Sequence, residues 1–225
     1  MFRQSAAGIW RIAVCITVQI LNLTSNSSLK FIAHQAAEVL GSGGIIVYPT
    51  ETAYGLGGKA LDETVIKNVF AIKQRPLNKP IHIIVKDIQE AKNYAEVTKE
   101  GIRLARRFFP GPLTLIFKKK FIIPDVLTGG LDTIGIRIPN HPVVIAISNI
   151  VSFPFTATSA NFSGRPAPYS TEDVFSQFTG NEIDLVIDAG SLPQTLPSTV
   201  VDLTVAPFKI IREGPISRQQ IENVL

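Results

Sequence analysis

Thr199-Val-Val-Asp-Leu-Thr-Val-Ala-Pro-Phe-Lys-Ile-Ile211 holds two short apolar runs, Thr199–Leu203 and Lys209–Ile211, with only residues 204–208 between them. Both read as strands, bounded by turn residues. The gap leaves no room for the helical crossover that a parallel strand pair requires. Leu185–Ile187 is a further strand candidate just upstream. A clean parallel, doubly wound sheet is therefore excluded, and the fold class is α/β of the α+β type, one twisted mixed sheet with flanking helices.

Working back from there, helical and strand patterns are interspersed. Leu29, Ile32, Ala33, Ala36, Val39 and Leu40 fall on one helical face, and Gly44–Tyr48 reads as a buried strand ending at Pro49. The stretch Pro49–Gly58 then reads as a loop. Asp62 caps a helix carrying Val65, Ile66, Val69 and Phe70, and Asp87 with Glu90 has the spacing of a capping box. Thr98 opens a helix that stops at Phe109-Pro110, Asn140 starts another through Ile147, and Ser217 with Gln220 caps the last. Residues 81–86, Leu113–Phe117, Thr133–Ile138 and Phe155–Thr158 are the remaining strands. No internal repeat or low-complexity run interrupts this pattern.

The chain has 225 residues, of which 45% are hydrophobic and 18% charged, enough apolar material for one folded domain. Cys15 is its single cysteine, which excludes a disulfide framework and a cysteine-rich zinc site. His34, His82 and His141 show no metal-ligand spacing, so no protein-held metal is expected. Met1–Ser28 carries a largely apolar stretch, Ile12–Leu23, that Gln19 and Asn22 interrupt and that is too short to span a membrane comfortably. It reads as an extension outside the folded domain or a misassigned start, which places the domain at 29–225, with no membrane partner and a cytoplasmic location.

Charge is unevenly spread. Residues 73–120 hold 12 Lys/Arg against 4 Asp/Glu, and residues 121–225 hold 5 against 10. A basic stretch of this kind suits nucleotide phosphates or RNA. There is no GxxxxGK[ST] loop, no GxGxxG after a strand and no GxSxG elbow, so P-loop, dinucleotide-binding and α/β-hydrolase chemistry lack support.

What remains is a set of polar residues in loops beside apolar strands. Pro49-Thr-Glu-Thr52 follows the first strand of the domain. Lys73-Gln-Arg75 and Lys79 place three cations within seven residues. Arg137 interrupts an apolar strand, Ser159-Ala-Asn161 closes another, and Ser198 and Arg212 flank the last two. Arginine grips phosphate oxygens bidentately, lysine supplies a mobile charge, and hydroxyls and amides bond phosphate, ribose or base edges. Taken singly, Lys73 and Arg75 could serve only to complement a helix end, and Arg137 could sit in a structural ion pair, because a charge in an apolar strand is costly unless paired.

Taken in order, Pro49-Thr-Glu-Thr-Ala-Tyr-Gly-Leu-Gly57, Lys73-Gln-Arg-Pro76, Phe109-Pro-Gly-Pro-Leu-Thr114, Gly135-Ile-Arg-Ile-Pro139, Ser159-Ala-Asn161 with Ser163-Gly164, and Ser198-Thr-Val-Val-Asp202 with Ile211-Arg-Glu-Gly214 resemble the YrdC family of threonylcarbamoyl-AMP synthases. The resemblance runs from about Leu29 to the C-terminus. It implies a twisted mixed sheet around a basic cavity and a nucleotidyltransferase that joins L-threonine, bicarbonate and ATP into threonylcarbamoyl-AMP and pyrophosphate. The product would feed N6-threonylcarbamoylation of the adenosine beside the tRNA anticodon, through a downstream threonylcarbamoyl transferase complex. Direct contact with tRNA is a further implied possibility. By the same resemblance Lys73, Arg75, Lys79, Thr133, Ser159, Asn161, Ala167 and Arg212 are ATP-binding, with Lys73 and Arg75 catalytic. Thr52, Tyr54, Arg137, Ala157 and Ser198 are threonine-binding, and Mg²⁺ is held through the phosphates.

Two departures stand out. Some members carry a histidine nine residues after the arginine of the Lys-x-Arg motif; here that position is Ile84, and His82, two residues earlier, is read as lying on the opposite strand face. Longer members add a C-terminal domain over the site, and this chain ends at Leu225. The reading from another class is a non-catalytic double-stranded RNA or tRNA-binding module of the same fold, supported by the basic stretch with Phe108 and Phe109 inside it. Hydrogenase maturation factors that contain a related domain carry CxxC zinc motifs, which Cys15 alone does not supply.

Overall fold

The computed structural model describes residues 18–24, 28–178 and 182–225. In chain order the elements are β1 (Gln19–Asn22), α1 (Leu29–Gly41), β2 (Ile46–Pro49), β3 (Tyr54–Gly57), α2 (Glu63–Ile72), β4 (His82–Ile84), α3 (Ile88–Tyr94), α4 (Lys99–Phe108) and β5 (Leu113–Lys118). There follow α5 (Asp125–Thr128), β6 (Thr133–Arg137), α6 (Pro142–Ile150), β7 (Phe155–Ser159), α7 (Thr171–Phe175), β8 (Leu185–Asp188), β9 (Thr199–Asp202), β10 (Lys209–Arg212) and α8 (Arg218–Glu222). The ten strands form one mixed sheet in the order β1-β8-β2-β3-β7-β4-β6-β5-β9-β10. β9 and β10 pair antiparallel, as their short connection dictates, while β5 and β9 pair parallel. Cys15 and most of the N-terminal apolar stretch lie outside the described residues. Among the described residues no helix is long and apolar enough to cross a membrane.

Strand alternation divides the sheet into two faces. On the first, Val47, Ile83, Leu115, Ile136 and Val186 pack against Val69 and Phe70 of α2, Ala91 of α3, Leu104 of α4, Val174 of α7 and Ile221 of α8. On the second, Ile46, Tyr48, Ile84, Phe155, Leu185 and Ile187 pack against Ile32, Ala36 and Leu40 of α1 and Val143, Val144 and Ile147 of α6. These two helices cover only part of the second face. The register pairs Ile84 with Arg137, Arg137 with Thr114, and His82 with Ala157. Paired residues project to one side, so these polar groups continue the second face beyond its helical cover.

The helix caps follow the sequence. The side chains of Asp62, Asp87, Thr98 and Ser217 each accept backbone N–H groups of the first turn they precede. Some expectations change. Pro49–Gly58 is not all loop: Tyr54–Gly57 returns as β3, antiparallel to β2. Its glycines mask the strand in sequence but are needed for packing, since a Cβ on Gly55 would lie 2.6 Å from the Tyr48 ring. The helix expected from Asn140 begins at Pro142, with His141 as its cap. Glu90 accepts from the N–H of Lys86 rather than completing a box with Asp87. Gln19–Asn22, inside the segment set aside as an extension, forms β1 beside β8. The short α7, capped reciprocally by Ser170 and Asp173, was not foreseen.

Candidate active site

The uncovered part of the second face is a cavity of about 390 Å³, within the range of small-molecule sites. Arg75, Arg137 and Arg212 reach it from three different elements, together with Thr52, Ser159, Asn161 and Ser198. Ala157 and Ala167 also line it, their small side chains leaving the volume open.

One wall is built on the β2–β3 turn. Thr50 Oγ1 accepts the N–H groups of Thr52 and Ala53, each at 3.1 Å, which fixes the turn. Across from it, Arg137 Nη2 donates to Thr52 Oγ1 at 2.6 Å and to Glu51 Oε1 at 2.8 Å. Arg137 is thus both ion-paired and at the cavity wall. Its Nε and Glu51 Oε2 are buried with no hydrogen-bond partner among the described residues. The part of the guanidinium that lines the cavity is suited to a carboxylate or phosphate ligand.

A second wall is organised by Lys73 and Arg75. Helix α2 ends in a two-bond reverse turn, with Arg75 N–H donating to Phe70 O at 2.9 Å and Gln74 N–H to Ala71 O at 3.0 Å. Gln74 occupies the left-handed conformation (φ 49°) that glycine usually takes there. The turn sends Lys73 inward and Arg75 to the cavity. Lys73 is only 1% exposed. Its ammonium donates to the carbonyls of Ser159 and Asn161 and to Asn161 Oδ1 at 3.4 Å. Ser159 Oγ donates to Asn161 Oδ1, and Asn161 Nδ2 donates to Arg165 O at 2.6 Å. Burial, and then the charge of Arg75, push the Lys73 ammonium down to about 7. Three oxygens around three N–H donors oppose that trend. Arg75 donates to the carbonyls of Lys79 and Pro80 at 3.0 and 2.8 Å, and its other N–H donors have no partner among the described residues.

The third wall joins β5, β9 and β10. Arg212 Nε donates to Ser198 O at 2.9 Å and its Nη2 to Ser198 Oγ at 3.2 Å, while Thr114 Oγ1 lies 2.9 Å from Ser198 Oγ. Burial, followed by the charge of Arg137, lowers the pKa of Arg212 from its usual value, and burial alone lowers that of Arg75.

Three residues named from sequence stand apart from this lining, and a fourth, Tyr54, turns its hydroxyl away from it. The Lys73 ammonium lies beneath the Ser159–Asn161 loop. Lys79 is exposed and meets the site through its backbone carbonyl. Thr133 lines an adjoining lobe of about 560 Å³, which shares Pro80, His82 and Arg212 with the main cavity. Tyr54 is at the wall, but its hydroxyl donates to Gly190 O at 2.8 Å and accepts the Ala189 N–H at 2.9 Å. Burial pushes that phenol up to about 12.

One expectation is corrected. His82 lines the cavity on the same face as Ile84, which packs with Tyr48 and Phe155 under the helices. Residues two apart on a strand share a face, so the two-residue offset moves the imidazole along the face and does not turn it away. Glu51, Thr114, Arg165 and Tyr169 were not assigned from sequence. The first two lay inside quoted motifs, but only the pairing of β5 with β6 and the Arg137 ion pair bring them to the site.

Among the described residues no group of three or more His, Cys, Asp or Glu could hold a metal ion. The cavity wall offers cations and hydroxyls, which fit anionic substrates.

Comparison with known proteins identifies the family. A family model, Sua5/YciO/YrdC, described as "Telomere recombination", matches residues 38–214. A threonylcarbamoyl-AMP synthase of Pyrococcus abyssi is 40% identical over 191 residues, which cover 84% of this chain and 56% of that protein. A Methanocaldococcus jannaschii relative is 36% identical over 204 residues, covering 91% of this chain and 95% of its own length. The crystal structure of P. abyssi Sua5 complexed with L-threonine superposes with a TM-score of 0.86 at 38% identity, covering 92% of this chain and 60% of that one. The chain thus spans a little over half the length of the P. abyssi protein. On the family match and the shared architecture, the chain belongs to the Sua5/YciO/YrdC family.

Proposed function

We propose that this cavity joins L-threonine, bicarbonate and ATP into threonylcarbamoyl-AMP with release of pyrophosphate. The observation that carries the reading is the convergence of Arg75, Arg137 and Arg212 with the hydroxyls of Thr52, Ser159 and Ser198 in one cavity. The P. abyssi relative bears the synthase name, and its solved structure holds L-threonine.

In this reading the guanidinium of Arg137, with Thr52 beside it, receives the threonine carboxylate, and Ala157 and Ser198 bound the amino-acid pocket. Arg75 and Arg212 face the phosphates, with Lys79 at the rim. Ser159, Asn161 and Ala167 bound the nucleotide, and Thr133 extends its site into the adjoining lobe. Lys73 acts from below, fixing the Ser159–Asn161 loop through its carbonyls. The threonine amine attacks the bicarbonate carbon, and water leaves. A carboxylate oxygen of the resulting carbamate then attacks the α-phosphorus, and the bond to pyrophosphate breaks. The protein contributes placement and fixed positive charge, and no covalent enzyme intermediate is formed. It is in this sense a nucleotidyltransferase. Mg²⁺ enters with the substrate, carried by the phosphates. The adenylate then passes to a transferase complex acting on tRNA, and the basic α4 surface is a candidate tRNA contact.

Arg75→Ala and Lys73→Ala test the assignment by pyrophosphate release with ATP, threonine and bicarbonate. Loss of one preorganised donor commonly costs about 10²–10³ in rate. Arg75→Ala is expected to fall in that range. Lys73→Ala is expected to lose turnover by disordering the loop. Unchanged release in both variants removes the assignment.

A further inference from the structure

One cavity group has no part in the reaction as written above. The His82 imidazole lies on β4, opposite Ala157 of β7 and over Gly135 of β6. A Cβ on Gly135 would lie 2.4 Å from the ring, so the glycine is what admits the imidazole at this depth. The side chain makes no hydrogen bond to any described residue, although it contributes to the walls of both the main cavity and the adjoining lobe. With Pro80 and Arg212 it is common to both, so a ligand reaching from Arg137 to Thr133 passes it. The charged groups that bear on it are Arg75 from the α2–β4 connection, Arg137 from β6 and Arg212 from β10, and the one carboxylate on the lobe wall is Asp202 of β9. That carboxylate is turned to its own turn, accepting from Thr204 N–H at 2.9 Å and from its hydroxyl at 2.6 Å.

We infer that His82 is a catalytic base of the synthase reaction, accepting the proton that the threonine ammonium must lose before its nitrogen can attack bicarbonate. This role rests on the function proposed above. The balance is simple. An N–H bond of the ammonium breaks, and its proton goes to the imidazole nitrogen, leaving a neutral amine and an imidazolium. The amine and bicarbonate then give the carbamate and water with no further proton change, and the imidazolium returns its proton to solvent. Burial first, and then Arg212, Arg137 and Arg75, hold the imidazole down to about 4, so it is neutral and has a lone pair free at neutral pH. A triphosphate seated on Arg75 and Arg212 cancels part of that positive field and raises the basicity of the ring. The base is therefore strengthened only when the nucleotide is in place, which ties amine activation to ATP binding.

The test uses the full chain, wild type and His82→Gln, with His82→Asn as a second variant should the first fail to fold by circular dichroism. Histidine C2–H signals are titrated by NMR without ligand, with ATP, and with ATP plus threonine. The signal absent from the variant is expected to titrate near pH 4 in the free chain. With ATP it is expected to move up by about one unit or more. In steady-state assays kcat is expected to fall about 10²-fold, the low end for general base catalysis, with KM for ATP changed less than about threefold. The acid limb of the pH–rate profile disappears with it. A wild type that makes labelled adenylate beside variants that keep its kcat and acid limb overturns the base. Loss confined to KM for ATP also overturns it, in favour of an anion ligand. A folded wild type that makes no adenylate overturns the synthase reading itself, and this role with it.

Discussion

The two halves of the sheet's second face are made by neighbouring stretches of the same strands, yet they do opposite work. Under α1 and α6 the face carries Phe155, Tyr48 and Ile84, all at most 1% exposed. A few residues along, the same strands and their neighbours present His82, Arg137, Thr114 and Ser159. Nothing in the backbone separates the halves. What differs is cover: where a helix seats, the alternation is filled by apolar groups, and where none does, cations and hydroxyls face an open cavity. The site is the part of the face that the helices leave uncovered, and the first face, covered by helices along the sheet, supplies the rigidity behind it.

Breaking the covered half has the largest expected effect. Phe155 is fully buried and meets Tyr48 edge-on at 5.5 Å. Phe155→Ala is expected to cost about 3–5 kcal/mol in denaturant unfolding. If that loss is under about 1 kcal/mol, the covered half is not the packed layer described.

Breaking the open half should cost activity first. Arg137→Ala is expected to lower kcat/KM for threonine by about 10²–10³, equivalent to about 2.7–4 kcal/mol of transition-state binding, since one fixed charge on the substrate is removed. It also leaves Glu51 without its ion-pair partner. Glu51→Gln is therefore the control that separates substrate loss from wall distortion. Equal losses in both variants would place the effect in the wall.

The two halves also differ in response to pH. An unfolded histidine takes its proton near about 6.5, while His82 in the fold holds off until about 4. Between those values the unfolded chain binds the proton and the native chain does not. Stability is thus unaffected by this group above about 6.5 and falls as pH drops toward 4. Unfolding of wild type and His82→Gln at pH 7.5 and pH 5 should show a steeper acid loss for wild type. Parallel losses would mean that the imidazole is not held neutral.

How far the sequence reveals these halves depends on the kind of signal. Helix starts were legible at Asp62, Thr98 and Ser217, because a cap is a local hydrogen bond. Arg137 was legible as an oddity in an apolar strand, but its dual position, paired with Glu51 and facing a cavity, needs the β2–β3 turn to come alongside. The Lys73-Gln-Arg75 cluster reads as three nearby cations with Lys79. Only the turn at Gln74, in a conformation that the residue type does not announce, sends one inward and one outward. β3 is hidden because Gly55 and Gly57 replace the expected apolar alternation, and their reason is the Tyr48 side chain on the neighbouring strand. The extent of α1 and α6 over the sheet is a tertiary fact with no local signature.

The smallest expected effect sharpens the boundary at that turn. A left-handed non-glycine residue costs about 1 kcal/mol. Gln74→Gly should relieve part of this but adds unfolded-state freedom, leaving a net change within about 0.5 kcal/mol and pyrophosphate release intact. A large loss of turnover would mean that the Gln74 side chain itself serves the site.

The most direct measurement of the central claim is incubation of the chain with ATP, L-threonine and labelled bicarbonate, with chromatographic detection of label in an adenylate. The account predicts a labelled adenylate and equimolar pyrophosphate, both dependent on threonine and both diminished by Arg75→Ala. Pyrophosphate or adenylate formation indifferent to threonine, or no labelled adenylate from folded wild type, would contradict it.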